Sequence, residues 1–540
     1  MSVDQAQDIT KDSNNVIYGP CKEIPTVDGI GTTLFNYMKK YGSSIAQIDG
    51  ITGQKRTHNE LLERCIKTCI YMQSKGIKPN DVVTICSLNH LDTFVPFVGG
   101  LFAGAIIACT DPRLSLLDTV YLIEQIRPNI LFVSEDAVDL IEKTLEQVGI
   151  ESEIVVFGNS KKHTEFTQIN SINYDESFSP HIVKNIKETA VITFSSGSTG
   201  SPKGVCLNHF GLLAPSLLNR TETSTLVVIS TSTLYWISAV INFIRNVIFN
   251  FTQVIIPDFD EIEIWNWIKT YKVSLVFLAS SQLITLAKKG RPADADTSSV
   301  RLVLTGGTKI SEEQILKIRS LFPNGIVLYA YGLAETSGLG VSLDFMDNKT
   351  DLKIYHEKPN CIGRPQPCCV YKVIDTETGE NLGPNEIGEL CIKTVFHMNG
   401  YYNNDSTDSW DSEGFIKTGD LVYYDEEFGF YYVDRIKEML KYRSWQISPA
   451  QLEAIILNHP AVKNVVVVGK LDPEDGDHPL AVVEITKPLS EEEIMNFVAE
   501  QVSDMHRLRG GVKFVDKIPV SVTGKNRRMF IKDLVNKNQL

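Results

Sequence analysis

VITFSSGSTGSPKGVCLNH, residues 191–209, is the stretch on which the reading of this chain turns. An apolar run, Val191 to Phe194, passes at once into Ser195, Ser196, Gly197, Ser198, Thr199 and Gly200, followed by Pro202-Lys203-Gly204. A strand is therefore expected to end in a loop of small residues. Small residues allow close backbone approach, so that amides and hydroxyls can surround phosphate oxygens while Lys203 adds positive charge. It is not a Walker loop, because Lys203 follows Ser201-Pro202 instead of a glycine and no Ser or Thr succeeds it. Taken alone, a turn of this composition is more often an ordinary connecting loop.

The surroundings of the segment set the fold class. From about residue 75 to 335, short β-branched runs alternate with longer amphipathic stretches: DVVTICSL, EIVVFG, TLVVIS, TQVIIP, VSLVFL, VRLVLTGG and NGIVLYAYG. That alternation predicts an α/β fold with largely buried parallel strands. Between about Cys361 and Tyr432 the pattern changes to Gly- and Pro-punctuated short strands, which predicts a β-rich subdomain. A new unit begins after Arg435, where Ser448-Pro449-Ala450-Gln451 reads as a helix start with a serine cap, proline in first position and a reciprocal Gln. Strands VKNVVVVG and LAVVEI, a helix from Ser490 and a terminal strand VKFVDKIP complete a small α+β domain. The expected division is a large domain over 1–435 and a small mobile one over 436–540.

Composition narrows the partners. With 66 acidic against 52 basic residues, the net charge of -14 disfavours nonspecific attraction to nucleic acid or anionic lipid, and argues for small-molecule partners. The ten cysteines show no paired-ligand spacing and read as reduced buried thiols. The polar start MSVDQAQDITKDSNN lacks the apolar core of a signal peptide. Two uncharged stretches, Thr93 to Thr110 and Thr223 to Ile244, carry glycines, a proline or many hydroxyls, and each reads as a buried strand and helix joined by a turn, not as a membrane span.

Residues 191–209 resemble the signature of the adenylate-forming superfamily of acyl-CoA synthetases, insect luciferases and peptide-synthetase adenylation domains. Four further motifs of that superfamily follow in order: YAYGLAET at 329–336, IKTGDLVYY at 416–424, VDRIKEMLKYRSWQISPAQLE at 433–453 and SVTGKNRR at 521–528. Spacing and length look closest to the luciferase-like and 4-coumarate-type ligases. The resemblance implies ATP, Mg²⁺ and coenzyme A as cofactors, with a carboxylic acid as substrate. A carboxylate attacking the α-phosphate of ATP meets a second anion, so catalysis must come from positioning and charge neutralisation.

By resemblance, the segment from Ser195 to Gly200 together with Lys203 surrounds the phosphates, and Glu335 holds Mg²⁺. Asp420 accepts the ribose hydroxyls, Arg435 contacts ribose or phosphate, and Lys525 bridges the substrate carboxylate and the α-phosphate. Gly306-Gly307 and Tyr331-Gly332 line the adenine and acyl-adenylate site. Lys437 is the hinge about which the small domain turns, offering the Lys525 face for adenylation and the Lys441, Ser444 and Gln446 face for thiol transfer. Taken singly, Asp420 is more often a turn residue, Glu335 a solvated helix-start acid and Lys525 a surface lysine; their joint occurrence reverses that reading. Gly306, Gly307, Gly419 and Gly524 also read as backbone turns.

The chain departs from the family pattern at four places. Ala334, between Leu333 and Glu335, stands where the family usually carries Thr, Tyr329 replaces a polar residue, and Thr233-Leu234-Tyr235-Trp236 lacks the usual histidine. Tyr235 and Trp236 become acyl-pocket candidates or ordinary core aromatics. Ser444 stands where coenzyme A ligases carry glycine beside the pantetheine tunnel. The leading expectation is an acyl-CoA synthetase acting on a medium- or long-chain fatty acid, or else an aromatic acid, with the run Leu234 to Ile244 helping to form the acyl pocket. A catalytically impaired nucleotide or acyl-adenylate binder, and an adenylating enzyme with an acceptor other than coenzyme A, are the alternatives. The final Asn538-Gln539-Leu540 shares only its leucine with a peroxisomal Ser-Lys-Leu address, leaving peroxisome and cytoplasm both open.

Overall fold

The computed structural model describes residues 9–174, 177–195, 202–218, 225–344, 349–442, 445–473, 475–520 and 526–540. The β-branched runs become strands of two large sheets. One has seven strands in the order Lys203–Asn208, Thr189–Ser195, Ile106–Thr110, Val82–Cys86, Ile130–Ser134, Glu153–Phe157 and Thr164–Glu165. Only its first pair is antiparallel. The second has nine strands and runs parallel from Ile326–Gly332 through Leu302–Gly306, Leu275–Phe277, Val227–Ser230 and Thr252–Ile255 to Ile45–Asp49.

Strands covered on both faces should be apolar throughout, not alternating. Val82–Cys86 and Ile106–Thr110 are buried at all five positions. The main core lies between the two sheets, where helices Ile30–Tyr41, His58–Ser74, Phe94–Ala103 and Ile237–Ile248 fill the gap with Leu34, Ile66, Phe97 and Phe243. Both uncharged stretches are resolved by this packing. The first is helix Phe94–Ala103, capped by left-handed Gly104, followed by strand Ile106–Thr110. The described part of the second holds strand Val227–Ser230 and the start of helix Ile237–Ile248. Among the described residues no helix is long and apolar enough to cross a membrane.

The Gly- and Pro-punctuated region builds an antiparallel six-stranded sheet. Two short strands from the amino-terminal end, Thr10–Lys11 and Ile17–Tyr18, extend it; the sequence reading had not placed them there. The last strand of this sheet ends at Arg435, and the next sheet begins at Leu440. In that final unit, hairpin Leu440–Tyr442 and Trp445–Ile447 joins Gly476–Ile485, Val462–Asp472 and Gly511–Phe514.

Helix Pro449–Leu457 starts as expected, with Ser448 accepting from the N–H of Gln451. The other half of the cap comes from Asp434, which accepts from the Ser448 hydroxyl at 2.5 Å and the Ala450 N–H at 3.0 Å. A terminal helix, Arg528–Asn536, follows the strand at which the sequence reading ended. Ile531 and Val535 seat it against Val466 and Val468.

Candidate active site

Ser195 and Lys203 face one another as the last register pair of their antiparallel strands, so this pair brackets the Gly/Ser-rich segment. Ser196, Gly197, Ser198, Thr199 and Gly200 lie outside the described residues, as do Ser444 and Lys525. The Lys203 ammonium sits 4.7 Å from the centre of the Tyr401 ring, a cation–π distance. The Tyr401 hydroxyl donates to Glu335 Oε1 at 3.1 Å, and the Ser195 hydroxyl donates to the same oxygen at 3.2 Å. Burial, then the Glu335 carboxylate, push the Tyr401 phenol up to about 12, so it stays a donor. Tyr401 is placed by pairing of its segment with the lysine strand, where Val205 bridges Tyr401 and the Tyr402 N–H donates to the Gly204 carbonyl at 2.7 Å. Three residues chosen from the sequence therefore meet around one carboxylate, and a fourth, Tyr401, was missed.

Glu335 lies on the short turn Ala334–Thr336, which directly follows strand Ile326–Gly332. A side chain at Gly332 would place its Cβ 2.4 Å from the Gly338 carbonyl oxygen, and one at Gly306 would come equally close to the Ala330 carbonyl. Gly306 thus allows close approach to the adjoining strand Ile326–Gly332, and Gly332 allows close approach of the backbone at Gly338, just before the strand that pairs with it on its other side. Gly307 next door has φ +95, a conformation that also favours glycine. Tyr329 points the other way. Buried to 7% exposure, its hydroxyl accepts from the Ile310 N–H at 3.1 Å and donates to the Thr308 carbonyl at 3.0 Å, pinning the loop after Gly307.

A second cluster forms around Asp420, which sits opposite Arg435 in the six-stranded sheet and is only 5% exposed. The Tyr331 hydroxyl donates to Asp420 Oδ2 at 2.7 Å, Arg435 Nε lies 3.2 Å from Oδ1, and the Tyr432 hydroxyl is 3.5 Å from Oδ1. Burial, reinforced by Asp420, raises the Tyr331 phenol well above its ordinary value. Burial pulls Arg435 downward, but Asp420 and the other acidic groups facing it outweigh that and leave it raised. Tyr331 and Glu335 belong to one motif, so segment 329–336 ties the two clusters together. Gly419, with φ +70 and open space around it, lies within strand Ile416–Tyr424 next to Asp420, where the pairing with the neighbouring strand shifts register.

The remaining candidates are dispersed. Lys437 is exposed on the turn Ile436–Glu438 between the two units. Lys441 is exposed on hairpin strand Leu440–Tyr442, opposite Gln446 in register. Arg528, which the sequence reading gave no role, reaches Glu438 at 3.0 Å and Glu453 at 3.0 Å, bracing the segment around Lys437. Tyr235 is buried, with its ring stacked 6.1 Å from Phe194, and Trp236 meets it edge-on at 4.7 Å. These aromatics support the strand that leads into the Gly/Ser-rich segment.

The AMP-binding enzyme family matches residues 34–402, and the AMP-binding enzyme C-terminal domain matches residues 451–525. The chain belongs to the AMP-binding enzyme family. This AMP-binding enzyme is 31% identical to a luciferin 4-monooxygenase from Nipponoluciola cruciata, over 98% of each chain. It is 30% identical to a probable CoA ligase from Humulus lupulus, covering 97% of this chain and 96% of that one. Its structure resembles that of the luciferase-like enzyme from the nonluminescent Zophobas morio mealworm, with TM-score 0.73 and 33% identity over 80% of this chain and 99% of that one. The anthranilate CoA ligase AuaEII, at 19% identity, shares the fold with TM-score 0.84, over 96% of this chain and 99% of that one.

Proposed function

We propose that this AMP-binding enzyme uses ATP to convert a carboxylic acid into its acyl-adenylate and then transfers the acyl group to the thiol of coenzyme A. The observation that carries the reading is the meeting of Ser195, Lys203 and Glu335 at one end of segment 329–336, with Tyr331, Asp420 and Arg435 at the other. In the first step a substrate carboxylate oxygen bonds to the α-phosphorus, the bond to the bridging oxygen of the β-phosphate breaks, and pyrophosphate leaves. Lys203 and Arg435 supply positive charge for two anions brought together, and the Ser195 to Gly200 segment supplies donors around the phosphates. Asp420 anchors the ribose, its carboxylate held in place by Tyr331 and Arg435 and offered as an acceptor for the sugar hydroxyls.

Glu335 fits a Mg²⁺ site. Magnesium commonly takes one or two carboxylates and completes its shell with phosphate oxygens and water. Two hydroxyl donors fix the carboxylate through Glu335 Oε1, and no hydrogen bond to Oε2 is present among the described residues. Bound there, the ion would neutralise phosphate charge.

The small unit, 436–540, is assigned the second step. Lys437 serves as its hinge, Lys525 as the adenylation lysine, and the Lys441, Ser444 and Gln446 face as the thiol side. The CoA-ligase relatives support transfer to coenzyme A. The luciferin 4-monooxygenase relatives favour a second reading, in which the adenylate is passed to something other than coenzyme A; a serine at 444, where coenzyme A ligases carry glycine, points the same way. The test is pyrophosphate release over a panel of carboxylic acids, with and without coenzyme A, and mass spectrometry of the product. Release with acyl-CoA formation is expected. Release without acyl-CoA selects the second reading, and ATP binding without release from any acid makes the chain a binder instead.

A further inference from the structure

Helix Ile237–Ile248 is buried along most of its length, yet Ile237, Ser238, Ile241, Asn242 and Arg245 stay partly or fully open. These five positions fall on one face, at the three- and four-residue spacings of a helix. The face is located by Gly338. A Cβ built there would lie 2.4 Å from Ile241 Cδ1 and 3.9 Å from Ile237 Cδ1. Gly338 closes the turn that carries Glu335, and its N–H donates to the Leu333 carbonyl at 2.8 Å. The open face therefore begins beside the proposed adenylation site with two isoleucines and continues away from it through Asn242 to Arg245.

The far end of this face carries donors that no described residue satisfies. Three other enclosed guanidinium groups are matched by carboxylates: Arg56 by Asp92 at 2.9 Å, Arg364 by Asp351 at 2.6 Å and Arg528 by Glu438 at 3.0 Å. Arg245 meets neither a carboxylate nor a hydrogen-bond acceptor among the described residues, and its one recorded neighbour is the Phe249 ring, 5.8 Å away. Its side chain is reachable by solvent, yet protein surrounds it closely enough that burial lowers its pKa. A recess along this helix face would reconcile the two. One turn back, Asn242 Nδ2 is buried with no acceptor, and so is Nδ2 of Asn246. An unpaired buried donor costs about 1–3 kcal/mol, so the two asparagine donors flanking Arg245 call for an acceptor supplied from outside the chain.

We propose that Arg245, assisted by Asn242, is a specificity-determining residue that binds an anionic group at the distal end of the acyl substrate, so that the preferred acid carries a second carboxylate or comparable anion beyond an apolar spacer lying on Ile237 and Ile241. This rests on the acid-activation reading above and changes its substrate class from a plain fatty acid to a two-headed one.

The test pairs α,ω-dicarboxylic acids with monocarboxylic acids of equal chain length. In pyrophosphate release, kcat/KM should favour the diacid by about ten- to a hundredfold, the worth of one charge-assisted contact. Arg245→Met should bring that ratio to near one, and Arg245→Lys should retain part of it. A second arm needs no turnover: sulfamoyl-adenosine mimics of the acyl-adenylate, with and without a terminal carboxylate, are compared by calorimetry, and the wild-type protein should bind the carboxylate form at least about tenfold more tightly. Equal binding of the two mimics by the wild-type protein, or equal loss of both in Arg245→Met, overturns the proposal while acid activation stands. Absence of pyrophosphate release from both acid series, with the mimics still discriminated, would instead overturn the activation reading and leave the anion site intact.

Discussion

At the scale of the residue, the Asp420 carboxylate is held by a phenol and a guanidinium, and its charge is what the Arg435 contact depends on. Asp420→Asn keeps the shape and an acceptor for Tyr331 but removes the charge facing Arg435 and one strong acceptor for ribose. KM for ATP should rise about ten- to a hundredfold, the equivalent of about 1.5–3 kcal/mol for hydrogen bonds to a charged group. Steady-state kinetics at saturating acid measure it; an unchanged KM beside a lowered Tm would make Asp420 a structural residue only. Asp420 and Arg435 were legible because their motifs carry a charge at an expected place. Tyr331 was expected to line the site, but its hydroxyl's grip on Asp420 depends on strands distant in sequence. Tyr401 was not legible at all, since its role arises from a bridge to Val205 that no local spacing encodes.

At the scale of the element, the strands were readable because burial on both faces writes a continuous β-branched run, as in Val82–Cys86. Helix Arg528–Asn536 was not, because it is short, buries only Ile531 and Val535, and leaves the apolar Met529 and Phe530 exposed, which blurs its apolar face. Arg245 was hidden for a related reason: an arginine near the carboxy-terminal end of a helix is what the helix dipole favours, and only packing reveals that it meets no acceptor among the described residues. Tyr329 shows how a departure from a family motif can be absorbed by the fold. Its two hydrogen bonds clamp the segment after Gly307 to strand Ile326–Gly332. Tyr329→Phe leaves the Ile310 N–H and Thr308 carbonyl without that partner, at a cost of about 1–3 kcal/mol. The melting temperature should fall by a few degrees, and KM for ATP should rise several-fold with kcat nearly constant. A fall in Tm with KM unmoved would detach this clamp from the nucleotide site.

At the scale of the whole molecule, the last unit rests on the rest of the chain through polar contacts of a kind that can be exchanged. Asn458 donates to Glu313 at 2.6 Å, and the Lys288 ammonium donates to the carbonyls of Val462 and Lys463 at 3.3 and 3.2 Å. Polar interfaces between domains of one chain permit relative motion as the ordinary case. If the unit beyond Arg435 turns about Lys437 between the two half-reactions, these contacts belong to one orientation and must break to reach the other. Replacing Glu313 and Asn458 by cysteine, with the exposed Cys21 changed to serine, provides a site for a short bis-maleimide link. Linking should lower acyl-CoA formation by at least about tenfold, since a gating motion would then limit every turnover. One partial reaction, either ATP–pyrophosphate exchange or consumption of supplied acyl-adenylate with coenzyme A, should continue at nearly the unlinked rate. A linked enzyme that still completes the whole reaction at full speed, or one that loses both partial reactions equally, is incompatible with rotation about Lys437. In either case both steps would have to be served by a single arrangement of the two units.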